Sequence, residues 1–257
     1  MINDCAYVSQ TLANHLKKKG INVEHKLRTR SLFDKTLMIA IKTYFLKADV
    51  YHCAYLLQDC WFARKFSKKP LIGHAHGSDV RNIDSKWGKI IKENLINCDK
   101  ILVTSLDLFD TAKEYNDTTE YFPIPIDVNV FTPDIENQIE EKPKLALYCN
   151  KSYDKLNSET ENTLLEKGYK IIKINPTDYP HFQMSKLYHQ YDLFIDQSQL
   201  PHMSKMCLEA MSCGLQVVKP DGELRLDRKK NREYIIKHHN ADKLVNRLLE
   251  IYREVMV

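Results

Sequence analysis

Side chains able to bind or transform a ligand first come together in residues 73–79 (GHAHGSD). The segment ends a short apolar run typical of a buried parallel strand, and ligands bind beyond the carboxyl ends of such strands. His76, Ser78 and Asp79 can hydrogen-bond hydroxyl groups or orient one another, and Gly77 lets a ligand approach the backbone. The segment is therefore a candidate binding loop for a ligand rich in hydroxyl groups, such as a sugar.

The same loop could instead hold a metal ion. His74 and His76 are two residues apart, so on a strand they point to the same face. No obvious third ligand accompanies them, and we therefore expect the protein to work without a bound metal.

A second candidate is the segment 204–214 (SKMCLEAMSCG), which has the pattern of a short helix. Ser204 is a good N-cap, and Gly214 can end the helix. The segment follows an apolar run at 192–198, so the helix N-terminus lies beyond the carboxyl end of another predicted strand. Its N–H groups and its dipole suit an anion such as a diphosphate.

Glu209 lies in this helix among apolar residues. A carboxylate in such a setting needs a polar partner, and the hydroxyl groups of a ribose would supply one. The alternative is that Glu209 caps the helix or pairs with a surface lysine. The spacing alone is compatible with both.

A third candidate is the segment 150–155 (NKSYDK), just after the first predicted strand of the second half. Lys151 or Lys155 could hold a phosphate as a point charge. Loop lysines are also commonly just solvated, and the segment by itself does not distinguish the two roles.

The elements that must position these segments alternate along the whole chain between apolar runs and helical patterns. Such βαβ alternation predicts parallel sheets with helices on both faces. An acidic, proline-bounded segment at 133–143 interrupts it and predicts a linker. We therefore expect an α/β protein of two small doubly wound domains, residues 1–133 and 134–257, with the last helix packing back towards the first domain. The predicted strands are 21–25, 50–55, 71–76, 100–105, 120–124, 144–149, 169–175, 192–197 and 215–219. The predicted helices lie near 7–19, 31–47, 57–67, 85–97, 106–115, 157–167, 182–190, 204–213 and 241–256.

The composition is typical of a folded intracellular protein. Of the 257 residues, 43% are hydrophobic and 28% charged, which excludes a disordered or fibrous chain. The seven cysteines are odd in number and never spaced as in a zinc or disulfide framework, which predicts free thiols in a reducing cytosol. No signal peptide and no apolar segment of membrane-spanning length is recognisable, so we expect a cytoplasmic protein.

Positive charge is concentrated in the first half, where residues 1–133 carry 19 Lys and Arg against 15 Asp and Glu. Residues 60–70 (CWFARKFSKKP) mix aromatic with basic side chains. Such a helix could rest on an anionic membrane surface, or it could be a core helix with a solvated basic end. A small net positive charge spread over a whole domain is weak evidence for a surface that binds the phosphate backbone of a nucleic acid, so we expect no nucleic-acid partner.

Four parts of the chain, in the right order, resemble the nucleotide-sugar glycosyltransferases of the GT-B fold, specifically glycosyltransferase family four. HAHGSD (74–79) is similar to the HxHGSD-type loop of that family's first domain. CLEAMSCGLQVV (207–218), after the strand YDLFIDQS (191–198), is similar to its donor motif. The other two parts are NCDKILVTSLDL with YFPIPIDVNVFTP, at 97–108 and 121–133, and the closing helices at 232–257. The resemblance covers most of the chain.

The resemblance implies two Rossmann-like domains facing a cleft, both shortened, and an enzyme that transfers a hexose with retention. The donor would be a nucleoside diphosphate sugar and the acceptor a hydroxyl group of a glycan or lipid-linked glycan. No metal or cofactor is implied. A lipid-linked acceptor would suit a cytoplasmic protein with peripheral membrane contact through its basic first domain.

The resemblance also implies a role for each candidate residue. Glu209 would bind the donor ribose, while Ser204 and Lys151 or Lys155 would meet the diphosphate. His76 would be catalytic, contacting the transferred sugar or assisting the acceptor. The acceptor or sugar side would be lined by Gly77, Ser78, Asp79 and Ser105.

The chain departs from the family pattern in the donor motif and in the glycine-rich loop of the first domain. Pro201 stands where the donor motif has a glutamate, and residues 201–204 (PHMS) replace its EGFG run. The glycine-rich loop after the first strand is also missing. A second interpretation therefore stays open, in which a degenerate GT-B protein binds a nucleotide sugar or a partner without transfer.

Overall fold

The chain folds into two compact units in the computed structural model. The model describes residues 1–27, 38, 41, 44–45, 48–134, 144–150, 156–196, 198, 202–219, 224–225 and 228–256. The first unit is Met1–Pro125 with Ala241–Val257, and the second is Ile126–Asn240. Each has a mainly parallel sheet with helices packed on it, which confirms the predicted α/β class with two Rossmann-like domains.

The first unit contains four parallel strands in the order β1-β2-β3-β4. They are β1 (Tyr51–Ala54), β2 (Leu71–Ala75), β3 (Lys100–Val103) and β4 (Glu120–Tyr121). Ile2 joins this sheet through single parallel bridges with Cys53 and Lys26. The strand predicted at 21–25 was wrong, since these residues have no strand assignment and the bridge to Ile2 is made by the following residue, Lys26. The helix predicted near 31–47 falls largely outside the described residues.

Helices cover both faces of the first sheet. They are α1 (Val8–Lys18), α2 (Gln58–Phe66), α3 (Gly88–Asn97), α4 (Phe109–Lys113) and the C-terminal α9 (Ala241–Met256). Helices α1 and α9 bury their apolar stripes on one face, as the four-residue spacing of Val8, Leu12 and Leu16 predicts. The other face packs against α2, α3 and α4.

The second unit has the strand order β6-β5-β7-β8-β9, with only β9 antiparallel to its neighbour. The strands are β5 (Leu145–Cys149), β6 (Lys170–Ile174), β7 (Leu193–Ile195), β8 (Gln216–Val218) and β9 (Leu224–Arg225). The helices are α5 (Ser158–Glu166), α6 (Met184–Tyr188), α7 (Lys205–Ser212) and α8 (Arg228–His238). The chain changes direction across β5, so the ends of β5 and β7 form a topological switch point, where ligands bind in such sheets.

The border between the units differs from the predicted one at residue 133. The first unit ends at Pro125, while helix α9 belongs to it, as the predicted packing of the last helix towards the first domain implies. Residues 126–134 are held by the second unit, because the Ile126 N–H donates to the His239 carbonyl (2.7 Å). Arg232 also donates to the carbonyls of Val128 (2.8 Å) and Phe131 (2.5 Å). Most of the predicted linker, residues 135–143, lies outside the described part of the chain.

All seven cysteines are free thiols, and six of them are buried. This agrees with their scattered positions in the sequence, which predicted no disulfide framework. Among the described residues, no helix combines the length and the apolar character needed to cross a membrane.

Candidate functional site

The loop after β2 is organised by Asp79. Its carboxylate is 1% exposed and accepts hydrogen bonds from four backbone N–H groups. Oδ1 accepts from His76 (3.2 Å), Gly77 (2.9 Å) and Val80 (3.0 Å), and Oδ2 accepts from Leu56 (3.2 Å) in the loop after β1. Burial raises the pKa of Asp79, and these hydrogen bonds oppose the rise. In the structure Asp79 therefore shapes the loop and joins it to the neighbouring one.

The other candidate residues near this loop, Gly77, Ser78 and Ser105, differ in their surroundings. Gly77 has φ 111°, and a Cβ there would collide with the guanidinium of Arg81. Ser78 is exposed. Ser105, after the adjacent strand β3, is buried and donates to Asp107, whose carboxylate also accepts from Arg81 (2.7 Å). The Ser105 hydroxyl thus helps to hold two loops together.

His76 lies at the centre of this edge. Its ring centroid is 4.4 Å from that of His74 and 5.4 Å from that of Tyr55. Burial lowers the pKa of His76 to about 3, so the ring is neutral at physiological pH. Within the described residues its Nε2 has no hydrogen-bond partner. A neutral imidazole in this position can donate a hydrogen bond to a ligand or accept one from it, but it is a weak base.

Tyr55 was missed from the sequence. Its backbone has φ 70°, a conformation that is uncommon for a bulky residue and that marks functional loops. The conformation places its ring beside His76, and its hydroxyl donates to Cys5 Sγ (2.8 Å). No sequence pattern predicts a tyrosine in the left-handed conformation, so the contact between Tyr55 and His76 could be found only in the structure.

The metal interpretation of His74 and His76 finds no support from further ligands. His74 Nδ1 is 3.0 Å from His52 Nε2, so that nitrogen is already engaged. In the part of the chain that the structure describes, no group of three or more His, Cys, Asp or Glu side chains is arranged to hold a metal ion.

In the second unit, the N-terminus of α7 lies beyond the carboxyl ends of β7 and β8. Ser204 is the N-cap, and its side chain accepts from the Cys207 N–H (3.2 Å). Asp196, after β7, accepts from the Ser204 N–H (3.3 Å) and lies 3.5 Å from the ammonium of Lys219, after β8. The helix end is thus attached to the sheet edge.

Glu209 lies one turn into α7 and is 1% exposed. Its Oε1 is 2.8 Å from His181 Nε2 and 2.9 Å from Lys205 Nζ. Burial alone would raise the pKa of Glu209, but Lys205 and the His181 hydrogen bond outweigh it and hold the pKa below its ordinary value. The lysine partner considered in the sequence alternative therefore exists, although Lys205 is buried (8% exposed) and not on the surface.

Lys205 and His181 were also missed from the sequence. The i, i+4 spacing of Lys205 and Glu209 was a usable signal for the first. His181 precedes Glu209 by 28 residues, and no local pattern connects them. Lys151, Lys155 and Pro201 lie outside the described residues.

Together the α7 region combines a helix N-terminus with the buried ammonium groups of Lys205 and Lys219 and the buried carboxylates of Glu209 and Asp196, which lie beside them. The helix N-terminus and the ammonium groups attract an anion such as phosphate. Glu209, one helical turn further on, can accept hydrogen bonds from hydroxyl groups. This arrangement suits a ligand in which a phosphate adjoins a polyol.

Comparison with solved structures identifies the fold. The chain is similar to sucrose-phosphate synthase from Thermosynechococcus elongatus, with a TM-score of 0.67 and 14% identity over 96% of this chain and 92% of that one. It is similar to Anabaena HepE in complex with UDP (TM-score 0.61, 12% identity, 94% and 88% covered). It is also similar to AviGT4, a glycosyltransferase involved in avilamycin A biosynthesis, with a TM-score of 0.59 and 11% identity over 97% of this chain and 89% of that one. No protein-family model and no curated protein matches the chain.

These likenesses confirm the predicted GT-B fold. At identities of 11–14% they concern the fold alone. The more specific resemblance to glycosyltransferase family four stays a prediction.

Proposed function

We propose that the chain is a glycosyltransferase that moves a hexose from a nucleoside diphosphate sugar to a hydroxyl group of a glycan or lipid-linked glycan. We further propose that it works in the cytoplasm, with retention at the anomeric carbon and without a metal or other cofactor. The observation that carries the proposal is the buried Lys205–Glu209 pair at the N-terminus of α7. Within one helical turn, Lys205 would supply a positive charge for a phosphate and Glu209 a hydrogen-bond acceptor for a ribose.

The donor would bind along α7. Glu209 would accept hydrogen bonds from the ribose, and the helix N-terminus at Ser204, with Lys205, would hold the phosphates. Lys151 and Lys155 are proposed as further diphosphate ligands. The departing nucleoside diphosphate gains negative charge, so cations and N–H groups already in place would stabilise the transition state.

The first unit would bind the acceptor and the transferred sugar at the loop 76–79. The neutral His76 would hydrogen-bond a sugar or acceptor hydroxyl, with the exposed Ser78 beside it. In the reaction the bond from the anomeric carbon to the diphosphate breaks, a bond to the acceptor oxygen forms, and the hydroxyl proton passes to an oxygen of the departing diphosphate.

A thermal-shift panel tests the donor half of the proposal, using UDP-, GDP-, ADP-, dTDP- and CMP-sugars with and without magnesium. A ligand at about 100 times its Kd stabilises the folded state by about 2.7 kcal/mol, which is a visible shift. Anabaena HepE has been solved with UDP and with UDP-glucose, so uridine nucleotides come first. If none of the nucleotide sugars shifts the melting temperature, the proposal fails. Where a donor binds, NMR of the product would show the anomeric configuration.

Binding without transfer is the second candidate function, and one observation favours it. Pro201 stands where the donor motif has a glutamate, and residues 201–204 (PHMS) replace the EGFG run of that motif. Retained nucleotide binding with neither transfer nor donor hydrolysis would select this candidate.

Peripheral membrane contact is proposed for the basic segment 60–70. Phe66 is 44% exposed at the end of α2, while Trp61 is held by Glu93 (2.8 Å) and lies under the ammonium of Lys65. Co-flotation with anionic but not with neutral vesicles would support the contact, and no flotation with either would exclude it.

A further inference from the structure

Three buried polar side chains are linked in series between the sheet of the first unit and helix α9. The Tyr252 hydroxyl lies 2.8 Å from His52 Nδ1, and His52 Nε2 lies 3.0 Å from His74 Nδ1. The strand register explains the second contact. His52 is opposite Ile72, and His74 lies two residues further along β2, so both histidines project from the same face of the sheet.

Stability alone does not account for this series. The two histidines are 2% and 0% exposed and lie beside the aliphatic and aromatic side chains that α1, α9 and the sheet bury. Burying a polar atom without a hydrogen-bond partner costs free energy, and an apolar side chain would avoid that cost. The series is also incompletely satisfied, because His74 Nε2 has no hydrogen-bond partner among the described residues. Such an exception calls for a functional explanation.

The positions of the protons follow from the contacts. Burial lowers the pKa of His52 to about 3 and also lowers the pKa of His74, so each ring carries one N–H at neutral pH. In the described part of the chain the Tyr252 hydroxyl contacts no hydrogen-bonding atom besides His52 Nδ1, so its proton is satisfied only by donating there. His52 then donates from Nε2 to His74 Nδ1, which leaves the His74 proton on Nε2.

The series ends at the candidate binding loop. The ring centroid of His74 is 4.4 Å from that of His76, with the two rings tilted by 32°. Tyr55 is the other ring beside His76 (5.4 Å). A rotation of the His74 ring would therefore change the surface on which His76 packs.

We infer that Tyr252, His52 and His74 are positioning residues for His76. The hydrogen bonds hold His74 in one tautomer and one ring orientation, and His74 in turn holds the His76 ring in its loop. The effect on catalysis rests on the proposed glycosyl transfer, whereas the effect on ring orientation does not.

The structural test is histidine side-chain NMR on Tyr252→Phe, with Tyr51→Phe as the matched control. Tyr51 belongs to β1, like His52, but it packs in the core on the opposite face of the sheet. In the wild type, nitrogen shifts should show His52 and His74 as Nε2–H tautomers, and an NOE should connect the rings of His74 and His76. Tyr252→Phe should mix the tautomers and weaken the NOE, while Tyr51→Phe should change neither. Unchanged shifts and an unchanged NOE in Tyr252→Phe would overturn the inference.

The functional test compares kcat with KM. Tyr252→Phe should lower kcat about tenfold, the loss that removing an orienting partner typically causes, with KM for the donor unchanged. His52→Gln keeps a donor and an acceptor, so it should retain more activity than His52→Leu. If Tyr252→Phe alters the histidine tautomers but keeps the wild-type kcat, the inferred effect on catalysis is refuted. If the wild type itself transfers no sugar, the proposed function fails, and the NMR comparison still decides whether His76 is positioned in this way.

Discussion

Replacing Lys205 with methionine isolates the phosphate-binding half of the α7 region. The substitution keeps the length and apolar body of the side chain and removes only the ammonium, which lies 2.9 Å from Glu209. If the phosphates of a donor bind at the N-terminus of α7, Lys205 is the described cation nearest in sequence to that end. The variant should therefore bind nucleoside diphosphates weakly and bind nucleosides normally.

The expected size of the effect follows from the burial of Lys205. A hydrogen bond to a charged group contributes about 1.5–3 kcal/mol, and at 8% exposure solvent screens the ammonium little. Since about 1.4 kcal/mol corresponds to a tenfold change, the Kd for UDP should rise roughly tenfold to a hundredfold. The Kd for uridine, which has no phosphate, should change by less than about threefold.

Calorimetry with UDP and uridine measures both constants, and two variants serve as controls. Lys205→Arg keeps the charge and should retain most of the UDP affinity. Lys173→Met removes a lysine from a partly exposed pair with Glu161 elsewhere in the same unit and should leave both ligands unaffected. Equal losses for UDP and uridine would show that Lys205 only supports Glu209. Unchanged UDP binding would remove Lys205 from the site.

Three further predictions concern the first unit and the reaction as a whole. His76→Ala should spare nucleotide binding and lower transfer, and equal turnover of variant and wild type would show that His76 is idle. Treatment with a chelator should leave activity intact, and a complete loss restored by one divalent metal would revive the metal interpretation of the loop. The folded state should lose stability in acid, because His52 and His76 stay neutral down to about pH 3 while the unfolded chain protonates histidine near pH 6.5. The free energy of unfolding should therefore be highest above pH 6.5 and fall by about 1.4 kcal/mol per pH unit for each histidine between pH 6.5 and 3. Denaturant titrations of the wild type and His52→Leu check this, since the variant should show the shallower slope.

The helices and strands that position the sites could be predicted, because the spacing of apolar residues along the chain determines which segments form them. The burial of Val8, Leu12 and Leu16 on one face of α1 follows from their spacing alone. The border between the units was not predictable in this way. Residues 126–134 join the second unit because Arg232, about a hundred residues away in sequence, binds the carbonyls of Val128 and Phe131.

The candidate site shows the same division between local and distant causes. Residue type and an apolar neighbourhood identified Glu209 as a carboxylate in need of a partner. Its partner Lys205 was within reach of a spacing argument, whereas His181 was not. Asp79, which the resemblance places on the sugar side, accepts hydrogen bonds from three backbone N–H groups of its own loop, as an aspartate in a turn commonly does, and from the N–H group of the distant Leu56. Its contact with a sugar stays a prediction.

The low pKa of His76 limits what this residue would do in the proposed transfer. A general base works best when its pKa lies near the pH of the reaction, and burial lowers the pKa of His76 to about 3. At neutral pH the ring would therefore take up the acceptor proton only at a large energetic cost. Its better role is to hydrogen-bond a hydroxyl group and fix its direction. The acceptor proton would then leave with the most basic oxygen that forms during the reaction, that of the departing diphosphate. In the proposed function, the first unit would orient the hydroxyl group and the second unit would stabilise the leaving group.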